Sequence, residues 1–270
     1  MKELLVTKRE LDFSKFVKRS ALEADYETLI DESCILIDAD TKEVLVVYKE
    51  LEFDDTAIIN ALETIRYDES TRTSGLKTRS RIFGYSPRNA IRKDFCSSTS
   101  LAMESPKQHA TICKYGVQIA GLYSEFTPET YKQHHALMQE KVLDEWAIRE
   151  TPFTSGIVNK NNPLKYHFDS GNFKNVYSCM TVFKRDVQGG YLSLPEYNVG
   201  FALRNNTVFM FDGQSILHGV TPITKLNAQA FRYSIVYYSL QQIWNCLPLS
   251  DELARIRNLK TQRETKRATA

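Results

Sequence analysis

The sequence has little of what defines several protein classes. Its longest apolar run is five residues, Val44 to Tyr48, against the ~20 that a bilayer-spanning helix needs. No membrane segment is expected. Glycine (11) and proline (8) are sparse among 270 residues, which excludes collagen-like and low-complexity chains. The opening MKELLVTKRELD has no apolar core of a signal peptide, so no secretory leader is expected. The five cysteines, Cys34, Cys96, Cys113, Cys179 and Cys246, form no CxxC pair and no even framework. They read as reduced thiols of a cytosolic protein, not as zinc ligands or disulfides. Net charge is also slight, +2 from 35 basic and 33 acidic residues. Taken globally, that is no argument for a polyanionic partner.

Hydrophobic residues make up 42% and aromatics 11%, enough for a substantial core. The charge is unevenly spread. Residues 1–69 carry 9 Lys/Arg against 18 Asp/Glu, and residues 70–93 carry 7 Lys/Arg and no acid. In that second stretch Arg72, Lys77, Arg79, Arg81, Arg88, Arg92 and Lys93 are interleaved with Phe83 and Tyr85. Cations for phosphates and rings for bases are the parts of a nucleic-acid contact. A solvated loop paired with the acidic N-terminal third is the plainer reading of the same charges.

In the first half, two β-rich runs within 33–49 flank the polar Asp38–Lys42 and predict a hairpin. Asp54 and Asp55 then precede Ile58, Ile59, Leu62 and Ile65, which share one helical face. A second helix is predicted over 127–146, with Thr127 as cap and Pro128 at its first position. Its adjacent His134 and His135 are read as surface or half-buried residues, because neighbours do not share a helical face. His109 is assigned to a polar loop. From about residue 150 short Val-, Phe- and Tyr-rich runs recur (Tyr177–Phe183, Gly190–Leu194, Thr207–Phe211, Tyr233–Tyr238), with Gly189-Gly190 as a turn between two of them. Short strands at this spacing predict a sandwich or barrel. No repeat or long linker divides the chain. It is read as one catalytic domain, 1–270: an N-terminal α/β layer (1–150), a β core (151–245) and a tail (246–270) in which a short helix frays.

Two histidines sit in informative places. In Lys165-Tyr166-His167-Phe168-Asp169, an imidazole and a carboxylate two residues apart point to one face of a strand. His218 follows 51 residues later. Two His and one carboxylate form a facial triad that leaves three iron positions open. Fourteen residues further on, Arg232 and Ser234 share a strand face, and a guanidinium grips a carboxylate with two parallel hydrogen bonds.

These motifs carry a resemblance. Residues 153–238 resemble the double-stranded β-helix of the 2-oxoglutarate- and iron(II)-dependent dioxygenases. Within it they are most similar to the branch of the ten-eleven translocation methylcytosine dioxygenases and J-binding-protein thymine hydroxylases. The carrying segments are Tyr166-His167-Phe168-Asp169-Ser170-Gly171-Asn172, Gly189 to Glu196, His218 to Ile223 and Arg232 to Tyr238. The resemblance implies an α+β, mainly β fold, with a jelly-roll core flanked by N-terminal helices and the hairpin. It implies that His167, Asp169 and His218 bind Fe(II), that Arg232 with Ser234 binds 2-oxoglutarate, and that O2 is the oxidant. By the same resemblance Asn172 contacts the substrate base. Asn159 hydrogen-bonds the cosubstrate or is a turn residue bonded locally; both stay open.

The implied activity is hydroxylation of the C5-methyl of 5-methylcytosine or thymine in DNA, by a monomer, on a flipped or single-stranded base. The implied compartment is the cytoplasm, that of a bacterial host for a phage-encoded enzyme, or a nucleus for a eukaryotic one. With this branch in view, residues 72–93 are read as contacting phosphates. Two alternatives remain: the same chemistry on a free nucleotide or protein side chain, and a non-catalytic nucleic-acid-binding module.

Overall fold

In the computed structural model, which describes residues 1–71, 77–87 and 95–268, two facing sheets enclose the region that carries the motifs. The larger sheet has ten strands. Nine follow the order β1 (Lys2–Val6), β3 (Cys34–Asp38), β4 (Val44–Glu50), β14 (Thr207–Phe211), β10 (Ser178–Arg185), β17 (Phe231–Tyr238), β8 (Ser155–Lys160), β6 (Lys77–Ser86) and β5 (Asp68–Thr71). The tenth, β7 (Ser97–Ser98), pairs with β6. The smaller sheet orders β2 (Thr28–Ile30), β13 (Val199–Phe201), β12 (Leu192–Leu194), β15 (His218–Val220) and β9 (Leu164–His167). A ribbon of β11 (Val187–Gly189) and β16 (Ile223–Lys225) lies apart.

Alternation along the central strands makes two cores. Cys179 and Phe183 of β10, Val208 and Met210 of β14, and Tyr233, Ile235 and Tyr237 of β17 face one way. They meet Ile58 and Leu62 of α1 (Thr56–Thr64), Leu101 of α2 (Ser100–Glu104) and Ile112, Ile119 and Tyr123 of α3 (Pro106–Phe126). Their neighbours Met180, Val182, Phe209 and Phe211 face the smaller sheet, against Leu192, Leu194, Val199, Phe201 and Val220. Period-2 alternation thus sends one set of side chains to the helices and the other to the space between the sheets. Among the described residues, no helix is long and apolar enough to cross a membrane.

The 33–49 hairpin forms as predicted. Its turn is fixed by Asp38, whose Oδ1 accepts the N–H groups of Asp40 (2.8 Å) and Thr41 (3.0 Å). Gly189 and Gly190 adopt φ of 74° and 69°, the left-handed region that glycine enters without penalty. The tail is helical as α5 (Leu249–Ala268).

Four expectations are corrected. Helix α4 (Pro128–Lys141) starts at Pro128 but stops short of 146, because Val142 turns extended and a 3-10 turn at Asp144–Trp146 follows. His109 is on α3, where its Nε2 accepts the Gly84 N–H at 3.1 Å. His134 is fully buried among Tyr123, Phe153 and Phe173, with Nε2 2.9 Å from Ser239 Oγ; with Met138 it forms the buried side of α4. Finally, Cys96 and Cys246 form a disulfide, with Cα atoms 5.7 Å apart across a sequence separation of 150. The two meet because the segments that carry them pack into one buried cluster with Trp146, Phe173 and Ile243. Cys34, Cys113 and Cys179 are free.

Candidate active site

His167 and His218 are directly opposed across the antiparallel pair β9–β15, where the register shifts beyond His218. Irregular pairing of this kind re-aims side chains near functional sites. His167 Nδ1–H donates to Lys165 O (2.8 Å), and His218 Nδ1–H donates to Ile216 O (2.9 Å). Each ring is therefore held by the carbonyl two residues before it. That leaves Nε2 as the unprotonated nitrogen, the arrangement that prepares a metal-ligating histidine. The two Nε2 atoms lie 3.4 Å and 3.7 Å from Asp169 Oδ1. The strand ends at His167, so Asp169 is placed by a different device: its N–H donates to Gly213 O at 2.8 Å. A Cβ on Gly213 would lie 2.4 Å from Asp169 Oδ2, so only glycine leaves room for the carboxylate.

The ligand atoms of His167, Asp169 and His218 lie within 4.8 Å of one another. His218 is buried, and burial together with the neighbouring His167 pushes its pKa down to about 4. A neutral imidazole is the form that binds metal. Two imidazole nitrogens and one carboxylate fit a ferrous ion and leave one side of it open.

A cavity of about 330 Å³ opens over this cluster, lined also by Asn159, Asn172, Met180, Tyr238 and Leu240. Arg232 and Ser234 lie on the same face of β17 as the lining residues Val236 and Tyr238, by strand alternation. Arg232 is buried, and its Nε and Nη2 have no hydrogen-bond partner. Desolvation lowers its pKa to about 10, so it remains a cation. Its backbone is pinned on both sides, with Asn161 Oδ1 accepting its N–H (2.7 Å) and its carbonyl accepting the Asn161 N–H (2.8 Å). An unpaired buried guanidinium is costly unless a ligand completes it. Two orphaned donors on one fork fit a carboxylate, as 2-oxoglutarate would present.

Asn159 sits inside β8, not in a turn. Its Oδ1 accepts from Ser80 (2.9 Å) and Asn162 (3.1 Å), while its Nδ2 points to Ser234 Oγ at 3.4 Å. Asn172 lines the cavity, donates Nδ2–H to Ser178 Oγ (3.1 Å), and has its carbonyl held by Gln214 and Gln241. The structure thus brings every predicted site residue to the inner face. Sequence reasoning missed Gly213 in the site and Lys184, whose Nζ donates to Ala202 O (2.8 Å), as a strand neighbour of Arg232. Lys184 pairs with Arg232 across β10–β17 and is lowered to about 8 by burial and by the cations Arg232 and Arg204. Only its inward register on β10 could have signalled it.

The basic stretch fits its expected role poorly where it is described. Arg81 is 4% exposed and pairs with Asp68 and Glu104; Arg79 pairs with Glu69. Phe83 is buried in the helix-side core, and Tyr85 packs edge-on against Trp146. Phe83 is thus spent on packing and unavailable for stacking on bases, whereas Tyr85 is half-buried. Arg72, Arg88, Arg92, Lys93 and the Lys77 side chain lie outside the described residues.

Comparison with known proteins agrees with this geometry. Residues 82–241 match the Tet_JBP family, described as the oxygenase domain of the 2OGFeDO superfamily. The chain is 26% identical over 200 residues to thymine dioxygenase JBP1 of Trypanosoma brucei brucei, covering 69% of this chain and 23% of that protein. It is 31% identical over 117 residues to the bifunctional helicase and thymine dioxygenase JBP2 of the same species, covering 43% of this chain and 10% of that one. The chain therefore spans less than a quarter of the length of these relatives. Its fold is similar to that of NgTET1 solved in complex with 5mC DNA, with a TM-score of 0.61 and 17% identity over 90% of this chain and 84% of that one. With the family match extending over more than half of its length, the chain belongs to the Tet_JBP family of 2OGFeDO-superfamily oxygenase domains.

Proposed function

We propose that this protein uses Fe(II), 2-oxoglutarate and O2 to hydroxylate the C5-methyl group of a pyrimidine, thymine or 5-methylcytosine, in DNA. One observation carries the chemistry: a buried arginine with two unpaired donors shares the inner wall of a barrel with a preset His/Asp/His cluster. Family membership and the names of the relatives support the substrate class.

Iron bound with 2-oxoglutarate and dioxygen supplies oxidative decarboxylation to succinate and CO2, coupled to insertion of one oxygen atom into a C–H bond. The chain's own residues do the rest. His167 and His218 offer Nε2 lone pairs that are set by their Nδ1–H bonds, and Asp169 offsets one of the metal's charges. Arg232 receives the distal carboxylate of the cosubstrate, with the Ser234 hydroxyl and the Asn159 amide beside it. Met180, Tyr238 and Leu240 give the cavity its apolar wall, which excludes water from the reacting methyl group. Asn172 meets the base with its amide, while Gln214 and Gln241 fix its backbone. The methyl reaches this depth only on a base extruded from the stack or already single-stranded, at a cost of a few kcal/mol.

The test is incubation of the protein with Fe(II), 2-oxoglutarate and DNA containing either thymine alone or added 5-methylcytosine, followed by nucleoside mass spectrometry. Hydroxymethylated pyrimidine is expected, and His167→Ala is expected to abolish it. Succinate release that ignores DNA but responds to a nucleotide or a peptide would instead place the substrate outside DNA.

A further inference from the structure

The cavity admits a base, so the grip on the rest of a duplex must lie outside it. The described part of the basic stretch supplies little of that grip, because Arg81 is buried against Asp68 and Glu104 and Arg79 already pairs with Glu69. We propose that the C-terminal helix α5 is an arm that holds the phosphate backbone of double-stranded DNA lying across the cavity mouth. This rests on the functional reading above and extends it to a surface.

The root of the arm is fixed. Glu252 is fully buried, and its two carboxylate oxygens accept the N–H groups of Cys96 (3.2 Å) and Leu247 (3.0 Å). The Trp146 indole N–H donates to Leu247 O at 2.9 Å. Just before the helix, Trp244 packs on Phe173 with ring centroids 5.1 Å apart, and Phe173 follows Asn172 of the cavity wall. The arm thus starts one aromatic pair from the site.

Its outer part has the composition of a polyanion-binding rod. From Ala254 to Ala268 there are six Lys/Arg and a single acid, Glu264. Among the described residues, Arg255, Arg257, Lys260 and Arg267 make no ion pair. Lys260 and Arg267, seven residues apart, share a face beside the half-buried Ile256 and Leu259, and Arg255 borders it. From Lys260 onward every residue described for burial is exposed, and the sequence there, KTQRETKRA, has no large apolar side chain. Docking in an apolar protein groove, or lying inserted in a bilayer interface, needs an apolar stripe. A row of cations without one is matched by a repeating array of phosphates. Glu252 to Arg267 spans about 22 Å at 1.5 Å per residue, the rise of roughly six base pairs at 3.4 Å each. That is enough to reach phosphates flanking an extruded base.

The experiment measures binding of the whole protein to a short fluorescent duplex carrying one 5-methylated pyrimidine, across salt concentrations from about 50 to 200 mM. Four neutralised phosphate contacts at ~0.9 each predict that the R255Q/R257Q/K260Q/R267Q variant lowers the slope of log K against log salt by up to ~3.6. A matched variant on α3 and α4, K107Q/K114Q/K132Q/K141Q, removes the same charge from exposed positions and is expected to leave the slope alone. An unchanged slope in the α5 variant overturns the proposal, as does an equal fall in both variants. So does a salt-sensitive dimer that disappears in the α5 variant with DNA binding intact, which would make the acidic N-terminal third of a second copy the occupant. If the wild type binds DNA but oxidises no base, the functional reading fails, and the slope still decides the role of the helix.

Discussion

Gly213→Ala tests the geometry of the candidate metal-binding cluster at a position that is not itself a proposed ligand. Gly213 has no positive φ, so alanine fits its backbone. Its Cβ, however, would stand 2.4 Å from Asp169 Oδ2 and 3.2 Å from Cγ. Ordinary contact begins near 3.4 Å. Since 3.4 − 2.4 = 1.0 Å, the carboxylate must swing by about that much, whereas ligand positions in metal sites tolerate only ~0.2 Å. Loss of ligand positioning of this sort typically weakens metal binding by ~10–100-fold, or roughly 1.4–2.8 kcal/mol at 1.4 kcal/mol per decade. The assay is anaerobic calorimetric titration of the metal-free protein with Mn(II), alongside Asp169→Ala as the limit. The melting temperature of the metal-free variant should stay close to wild type, because the atom displaced is the end of a side chain. If Gly213→Ala binds Mn(II) as tightly as wild type, the assigned role of Asp169 is wrong.

Arg232→Lys removes the forked pair of unpaired donors; two charge-assisted hydrogen bonds at ~1.5 kcal/mol or more each predict a rise in the 2-oxoglutarate KM of at least ~100-fold in steady-state kinetics. Glu252→Gln turns an amide NH2 toward one of two backbone N–H donors; the unsatisfied donor costs ~1–3 kcal/mol, read as a fall of several degrees in melting temperature. Burial holds the His134 pKa down at about 3 from the usual 6.5, so between those values the unfolded chain binds a proton that the folded chain refuses. Its stabilising contribution is complete above pH ~6.5 and is lost as pH falls toward 3. His134→Phe should therefore shift acid unfolding, followed by circular dichroism, to lower pH. Buried His218, lowered to about 4, leaves a residual slope of the same sign.

Part of the candidate constellation was legible because strand alternation is a local rule, although Asp169 lies beyond the end of β9. Arg232, Ser234, Val236 and Tyr238 must share a face wherever β17 sits, and the HxD motif announces itself within three residues. Contacts that depend on distant partners were not legible. Arg79 and Arg81 look like free cations until the fold delivers Glu69, Asp68 and Glu104. The Cys96–Cys246 pairing crosses a sequence separation of 150, beyond any spacing argument. His134 is different, since the signal was present: Tyr131, His134 and Met138 recur at helical spacing, and the burial of His134 follows from that stripe. So does α3, where Ile112, Tyr115, Ile119 and Tyr123 mark one face.

The pairing of β4 with β14 and of β2 with β13 gives the N-terminal third a part in the catalytic half that its sequence does not advertise. It closes one margin of each sheet. The matched family segment, residues 82–241, cut out alone would present the flanks of β13 and β14 as bare hydrogen-bonding templates, which invite strand addition and aggregation. The acidic opening residues therefore serve as a selvedge: they cover the flanks of β13 and β14 and move the sheet margins out to the short strands β1 and β2.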